Sequence, residues 1–123
     1  MPSGRRVADL LVDTDVLVEH LRGRHQLRRG EDSISYSVIT RAELFAGSGS
    51  EEERVARLLT AFRELEVGRA VAELGGGLRR ETGILLPDAL IAATALHHGL
   101  TLLTRNRRDF ERVPGLELHP PAR

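Results

Sequence analysis

The sequence contains no cysteine, no lysine and no tryptophan, and its aromatic residues number four: Tyr36, Phe45, Phe62 and Phe110. Without cysteine there are no disulfides, thiolate metal sites or thiol nucleophiles, and a cytoplasmic address is the expectation. Without lysine all 18 basic residues are arginine, and every mechanism that requires an ammonium side chain is excluded. So few aromatic rings leave little for a nucleic-acid base to stack on. The basic residues are matched by 18 acidic ones, so any contact with nucleic acid must come from local arginine patches and not from a global field. No apolar run approaches the roughly 18 to 20 residues that span a bilayer, and no signal-peptide core follows the polar start "MPSGRR".

What is present suits one soluble globular domain. The 123 residues are 41% hydrophobic and 29% charged, enough for one core and not for two. The expectation is a single domain over 1–123, with residues 1–7 as a flexible extension. "ADLLVD" (8–13) reads as a short buried strand, after which Thr14 or Asp15 can cap a helix to about Leu21. "GRHQLRRGED" is a basic loop, and "SISY" (33–36) a second strand. Thr40 with Glu43, and Ser50 with Glu53, have capping-box spacing and predict helix starts. "ELEV" (64–67) predicts a strand, and 69–82 a helix broken or mobile at Gly75–Gly77, since each interior glycine costs about 1 kcal/mol against alanine. "PDALIAATALHHG" is the clearest helix, with Pro87 at its first position and Gly99 ending it. "LTLLT" (100–104) is a strand, "NRRDFERV" a short helix and "LELH" (116–119) a last strand. Strands alternating with helices over such short connections imply a three-layer α/β/α sandwich with a short, mainly parallel sheet. Ligands of such sheets gather beyond the carboxyl ends of the strands.

Four carboxylates fall at strand ends or helix starts: Asp13, Glu43, Asp88 and Asp109. Three have structural explanations. Thr40–Glu43 and Asn106–Asp109 can be capping boxes, and Asp88 complements the positive end of its helix, worth about 0.3–1 kcal/mol. Asp13 ends a strand expected to be buried on both faces and offers no obvious cap. If the strand ends converge, the four acids crowd one cleft, where like charges raise each other's pKa unless a cation neutralises them. Oxygen ligands without His or Cys suit Mg²⁺ or Mn²⁺. That arrangement fits metal-assisted phosphodiester hydrolysis and needs no side-chain nucleophile.

Three segments, "LLVDTDVLVEHLRG", "ISYSVITRAELFAGS" and "LPDALIAATALHHGLTLLTRNRRDFERVPGLEL", together resemble the PIN-domain ribonucleases, specifically the VapC-type toxins of toxin–antitoxin pairs. They stand in the family's order and span nearly the whole chain. The resemblance implies an acidic Mg²⁺ or Mn²⁺ site that cleaves RNA, with Asp13, Glu43 and Asp88 as metal-binding catalytic acids. The fourth acid falls in "TRNRRDF", where Asp109 is favoured, although some members carry an acid at the position of Asn106. Many relatives have asparagine where this chain has Asp15. Thr104 matches a commonly hydroxyl-bearing position that can orient a carboxylate or a water. The resemblance further implies a homodimer and a VapB-like antitoxin partner that carries the DNA binding. RNA contact would fall to Arg22, Arg24, Arg28 and Arg29 in the first loop and to Arg105, Arg107 and Arg108 beside the site. His97, His98 and His119 are expected at helix ends or on the surface and not as ligands.

Two other functions compete. The D-x-D of Asp13 and Asp15 fits phospho-aspartate phosphatases or receiver domains, but those normally need a lysine that is absent here. A PIN-like fold could also serve as a catalytically silent binding module.

Overall fold

The computed structural model describes residues 9–27 and 32–120. The expected N-terminal extension, and Arg28 and Arg29 of the basic loop, lie outside these residues. Four strands form one sheet among the described residues: β1 (Asp9–Val12), β2 (Ser33–Ser37), β3 (Arg63–Leu65) and β4 (Thr101–Leu103). Their order is β3-β2-β1-β4, and all three pairings are parallel. The chain steps outward from β1 through β2 to β3, then crosses back to place β4 on the other side of β1. The crevice between the ends of β1 and β4 is therefore the topological switch point, where parallel sheets open to ligands.

The α-helices among the described residues are α1 (Thr14–Leu21), α2 (Val38–Phe45), α3 (Glu52–Leu59), α4 (Arg69–Thr82), α5 (Leu86–His98) and α6 (Arg107–Phe110). Successive residues of β1 point to opposite faces, so Leu11 joins one core and Val12 the other. Leu11 packs with Val71 and Leu78 of α4, Ile91 and Ala92 of α5, and Phe110. Val12 packs with Leu17, Leu44, Val55 and Leu59, from α1, α2 and α3. These two cores, one on each side of the sheet, make the expected three-layer sandwich. A run such as "LLV" is apolar on every residue because both faces of the strand are covered.

Several local expectations are corrected. The helix over 69–82 is continuous through its three glycines. Gly75 is buried there, and a Cβ at that position would stand 2.6 Å from Leu90 Cδ2 and 3.3 Å from Leu90 Cα. The glycine thus lets α4 lie close against α5, and tertiary packing outweighs its local cost. Of the three predicted capping boxes, Thr40–Glu43 and Ser50–Glu53 do not start a helix, whereas Asn106 does stand at the start of α6, without a side-chain cap hydrogen bond. Ser37, extended at φ −80° and ψ 147°, caps α2 by accepting from Ile39 N at 3.0 Å, which leaves Thr40 inside the helix and Glu43 near its end. Helix α3 begins at Glu52, after a 3-10 turn (Gly49–Glu51) capped by Ser48. Pro87 is second in α5, behind Leu86. The segment 116–119 contributes one parallel bridge, Leu102 to Leu118, instead of a strand. Among the described residues, no helix is long and apolar enough to cross a membrane.

Candidate active site

Asp13 follows the last residue of β1, and its backbone N–H extends the ladder by donating to Leu103 O at 2.9 Å. Contrary to expectation it is itself the cap of α1: at φ −76° and ψ 156° it remains extended, and its Oδ1 accepts from Thr14 N at 2.8 Å. Its Oδ2 accepts from the Thr104 hydroxyl at 2.7 Å. With both oxygens engaged and 4% of the residue exposed, Asp13 is poorly placed as a phospho-acceptor. That agrees with the missing lysine in removing the phospho-aspartate alternatives.

The other acids reach the same crevice from different elements. Asp88 lies in the first turn of α5, half-buried. Glu43 projects from α2, where its Oε1 accepts from the Thr14 hydroxyl at 2.6 Å. Asp15, in the first turn of α1, accepts weakly from Arg105 N at 3.4 Å and so ties α1 to the loop after β4. Asp13, Asp15, Glu43 and Asp88 all line one cleft of about 420 Å³, together with Thr14 and Asn106. Asp109 stands one hydrogen bond behind that wall. Asn106 donates from Nδ2 to Asp109 Oδ2 at 3.0 Å and from its backbone N to Thr104 Oγ1 at 2.9 Å. The geometry thus brings together Asp13, Glu43 and Asp88 with Asp15 beside them, and links Asp109 to them through Asn106 and Thr104.

The charges are strained by this proximity. Burial first, then Asp15 and Asp88, push the Asp13 carboxyl up to about 7 against the lowering effect of its two hydrogen bonds. Burial, then Glu43, Asp109 and Asp15, push Asp88 up to about 6. Asp15 is also raised, chiefly by burial, with the Arg105 N–H pulling the other way. Neutral carboxyls relieve such crowding at the cost of a bound proton; a hard divalent cation relieves it with the charges kept. The donor set is all oxygen, which fits Mg²⁺ or Mn²⁺. Among the described residues no three His, Asp or Glu side chains form a ready-made ion cage. An open site of this kind suits an ion that keeps several waters.

The arginines separate clearly. Arg22 and Arg105 line the acidic cleft. Arg24 pairs with Glu19 at 3.7 Å. Arg107 is spent on the backbone, donating to His119 O at 2.6 Å, and Arg108 is exposed outside the cleft lining. His97 and His98 close α5 as exposed residues, edge-on to each other at 5.0 Å. His119 is half-buried and donates from its backbone N to Leu102 O. The residue that sequence reasoning missed is Thr14, seen only as a helix cap. Its contact with Glu43, 29 positions away, leaves no local signature.

A parallel-sheet domain with an acidic cleft at its switch point has its ligand crevice lined by carboxylates, and comparison with known proteins narrows the class. The PIN domain family matches residues 10–116. Ribonuclease VapC10 of Mycobacterium tuberculosis is 37% identical over 124 residues, covering 91% of this chain and 92% of the relative. Ribonuclease VapC19 of the same organism is 36% identical over 126 residues, covering 90% of this chain and 98% of the relative. Among solved structures, a toxin–antitoxin complex from Klebsiella pneumoniae superposes with a TM-score of 0.77 at 34% identity, over 88% of this chain and 95% of that one. The chain belongs to the PIN-domain family, among its VapC ribonucleases.

Proposed function

We propose that this protein is a Mg²⁺- or Mn²⁺-dependent endoribonuclease and the toxin of a type II toxin–antitoxin pair, restrained by a VapB-like antitoxin and acting as a homodimer. One observation carries the chemistry: Asp13, Glu43 and Asp88 meet in one cleft where burial and mutual repulsion raise Asp13 and Asp88 to about 7 and 6. Such a cluster is stabilised by a cation.

Asp13, Glu43 and Asp88 would hold the ion, with Asp109 contributing through its link to Asn106. When bound, the ion supplies positive charge for the phosphate oxygens and makes water a stronger acid. The chain's own groups do the rest. Thr104 and the Thr14 N–H fix both oxygens of Asp13, so its carboxylate does not reorient as substrate enters. Arg22 and Arg105, on the cleft lining, are placed to bind RNA phosphates flanking the scissile one. The antitoxin reading is supported by the toxin–antitoxin complex that this fold matches.

The test is cleavage of a broad RNA panel by purified protein. Activity should require Mg²⁺ or Mn²⁺, vanish in EDTA, and fall at least about a hundredfold in Asp88→Asn, in line with the loss of a few kcal/mol of electrostatic stabilisation. Cleavage that persists in EDTA refutes metal dependence. A wild type that cuts nothing yet binds its partner tightly is a binding module.

A further inference from the structure

Thr14 touches two of the acids at once. Its backbone N–H donates to Asp13 Oδ1 at 2.8 Å, and its hydroxyl lies 2.6 Å from Glu43 Oε1 and 2.9 Å from Thr40 Oγ1. A hydroxyl has one proton, and an ionised carboxylate accepts without donating. The Thr14 hydroxyl makes its shorter contact with the Glu43 carboxyl, to which it donates, and Thr40 Oγ1 stands within hydrogen-bond distance of the same hydroxyl. Thr40, Thr14 and Glu43 thus form one contiguous chain of contacts centred on the Thr14 hydroxyl.

The placement of Thr40 gives that chain its rigidity. Thr40 is fully buried in α2, three residues before Glu43, so both lie on the same helix face. Thr14 is the first residue of α1, pinned by the cap that joins it to Asp13. Glu43 itself is exposed, and its long side chain would otherwise sample many rotamers. Fixing such a chain costs side-chain entropy. A short hydrogen bond already made in the free protein meets that cost before any ligand arrives.

We infer that Thr14 is a positioning residue for the nuclease site: its hydroxyl, backed by Thr40, holds the Glu43 carboxylate at a set spacing from Asp13 for a divalent cation. This role rests on the cation-dependent function proposed above. It makes Thr14 a second bridge from Asp13, complementing the one that runs through Thr104 and Asn106 to Asp109.

The experiment measures Mn²⁺ affinity by calorimetry on the RNA-free protein, alongside kcat, KM and thermal unfolding in EDTA. Thr14→Val keeps the β-branched shape and removes the hydroxyl. It should weaken Mn²⁺ binding about tenfold, the scale of one hydrogen bond to a charged group, and lower kcat with KM for RNA little changed. Thr14→Ser should restore both. Thr40→Val, which leaves the start of α1 intact, should shift them in the same direction by a smaller factor. The decisive comparison is a double-mutant cycle: in a Glu43→Ala background, which has no side-chain acceptor, Thr14→Val should have no further effect on Mn²⁺ affinity. Wild-type Mn²⁺ affinity in both valine variants, or an equal loss with and without Glu43, overturns the positioning role alone. A wild type that neither binds Mn²⁺ nor cuts RNA in its presence overturns the proposed function and this role with it.

Discussion

Replacing Asp13 by asparagine should stabilise the metal-free protein at neutral pH and destabilise it at pH 4. Folding raises the Asp13 carboxyl from an ordinary 3.8 to about 7, so the folded chain holds this proton more tightly than the unfolded chain does. Stability from this group is therefore greatest below pH 3.8 and is lost as pH climbs towards 7. Three pH units at about 1.4 kcal/mol each give about 4 kcal/mol of destabilisation once the group is ionised, an upper figure because the charge is shared with its acidic neighbours. Asparagine removes that charge but offers one oxygen acceptor where Asp13 uses two, for Thr14 N and the Thr104 hydroxyl. The lost acceptor costs about 1–3 kcal/mol.

At pH 7.5 in EDTA the difference favours Asp13→Asn by about 1–3 kcal/mol, or roughly 5 °C in Tm for a domain of this size. At pH 4 the wild-type carboxyl is already protonated in the folded state, so only the cost of the lost acceptor remains and the sign reverses. Thermal unfolding of both proteins across pH 4–8, in EDTA and again with Mn²⁺, measures this directly. Added Mn²⁺ should raise the Tm of the wild type at pH 7.5 and largely fail to do so for Asp13→Asn. A variant that is less stable than wild type by the same amount at both pH values would refute the reasoning, because burial would then not be charging Asp13 with a penalty.

The other predictions rest on packing and on the arginines. Gly75→Ala should destabilise by about 1–3 kcal/mol through its clash with Leu90, whereas Gly76→Ala, with open space around it, should stabilise by up to about 1 kcal/mol; denaturant melts of the two variants test the contrast. Arg22→Ala and Arg105→Ala should each raise KM for RNA and lower the salt dependence of binding by about 0.7 in slope, one phosphate contact each. Arg107→Ala should instead lower Tm with KM unchanged, since its guanidinium serves His119 O.

Buried strands were legible because a strand covered on both faces leaves an uninterrupted apolar run, as in Leu10, Leu11 and Val12. Helix α5 was legible because Pro87, an apolar stripe and Gly99 all agree. Helix starts were less so. Thr40 and Glu43 have the spacing of a capping box, but the backbone leaves its extended form earlier, at Ser37, and spacing alone cannot show where that happens. Gly75 misled in the opposite way: its local cost is visible in the sequence, while the Leu90 side chain that justifies it lies 15 positions on and in another helix. Asp13, Asp15 and Asp88 were legible as acids that close a strand or open a helix. The links among the cleft residues were not, because Thr14 to Glu43 and Thr104 to Asp13 span 29 and 91 positions and depend on side-chain direction.

Asp13 shows why structural and catalytic explanations of such acids need not compete. In a parallel sheet the carboxyl end of a strand is followed by a helix start, where unpaired N–H groups favour an acidic cap. The same place is where the sheet opens its ligand crevice. An aspartate there caps α1 through one oxygen and faces Thr104 and the crowded acids through the other. The two donors lower its pKa, yet burial and the neighbouring carboxylates prevail and carry it to about 7. A cap in water would be satisfied by those donors alone. Buried beside Asp15 and Asp88, it is left short of positive charge, and that shortfall is what the divalent cation of the proposed function would answer.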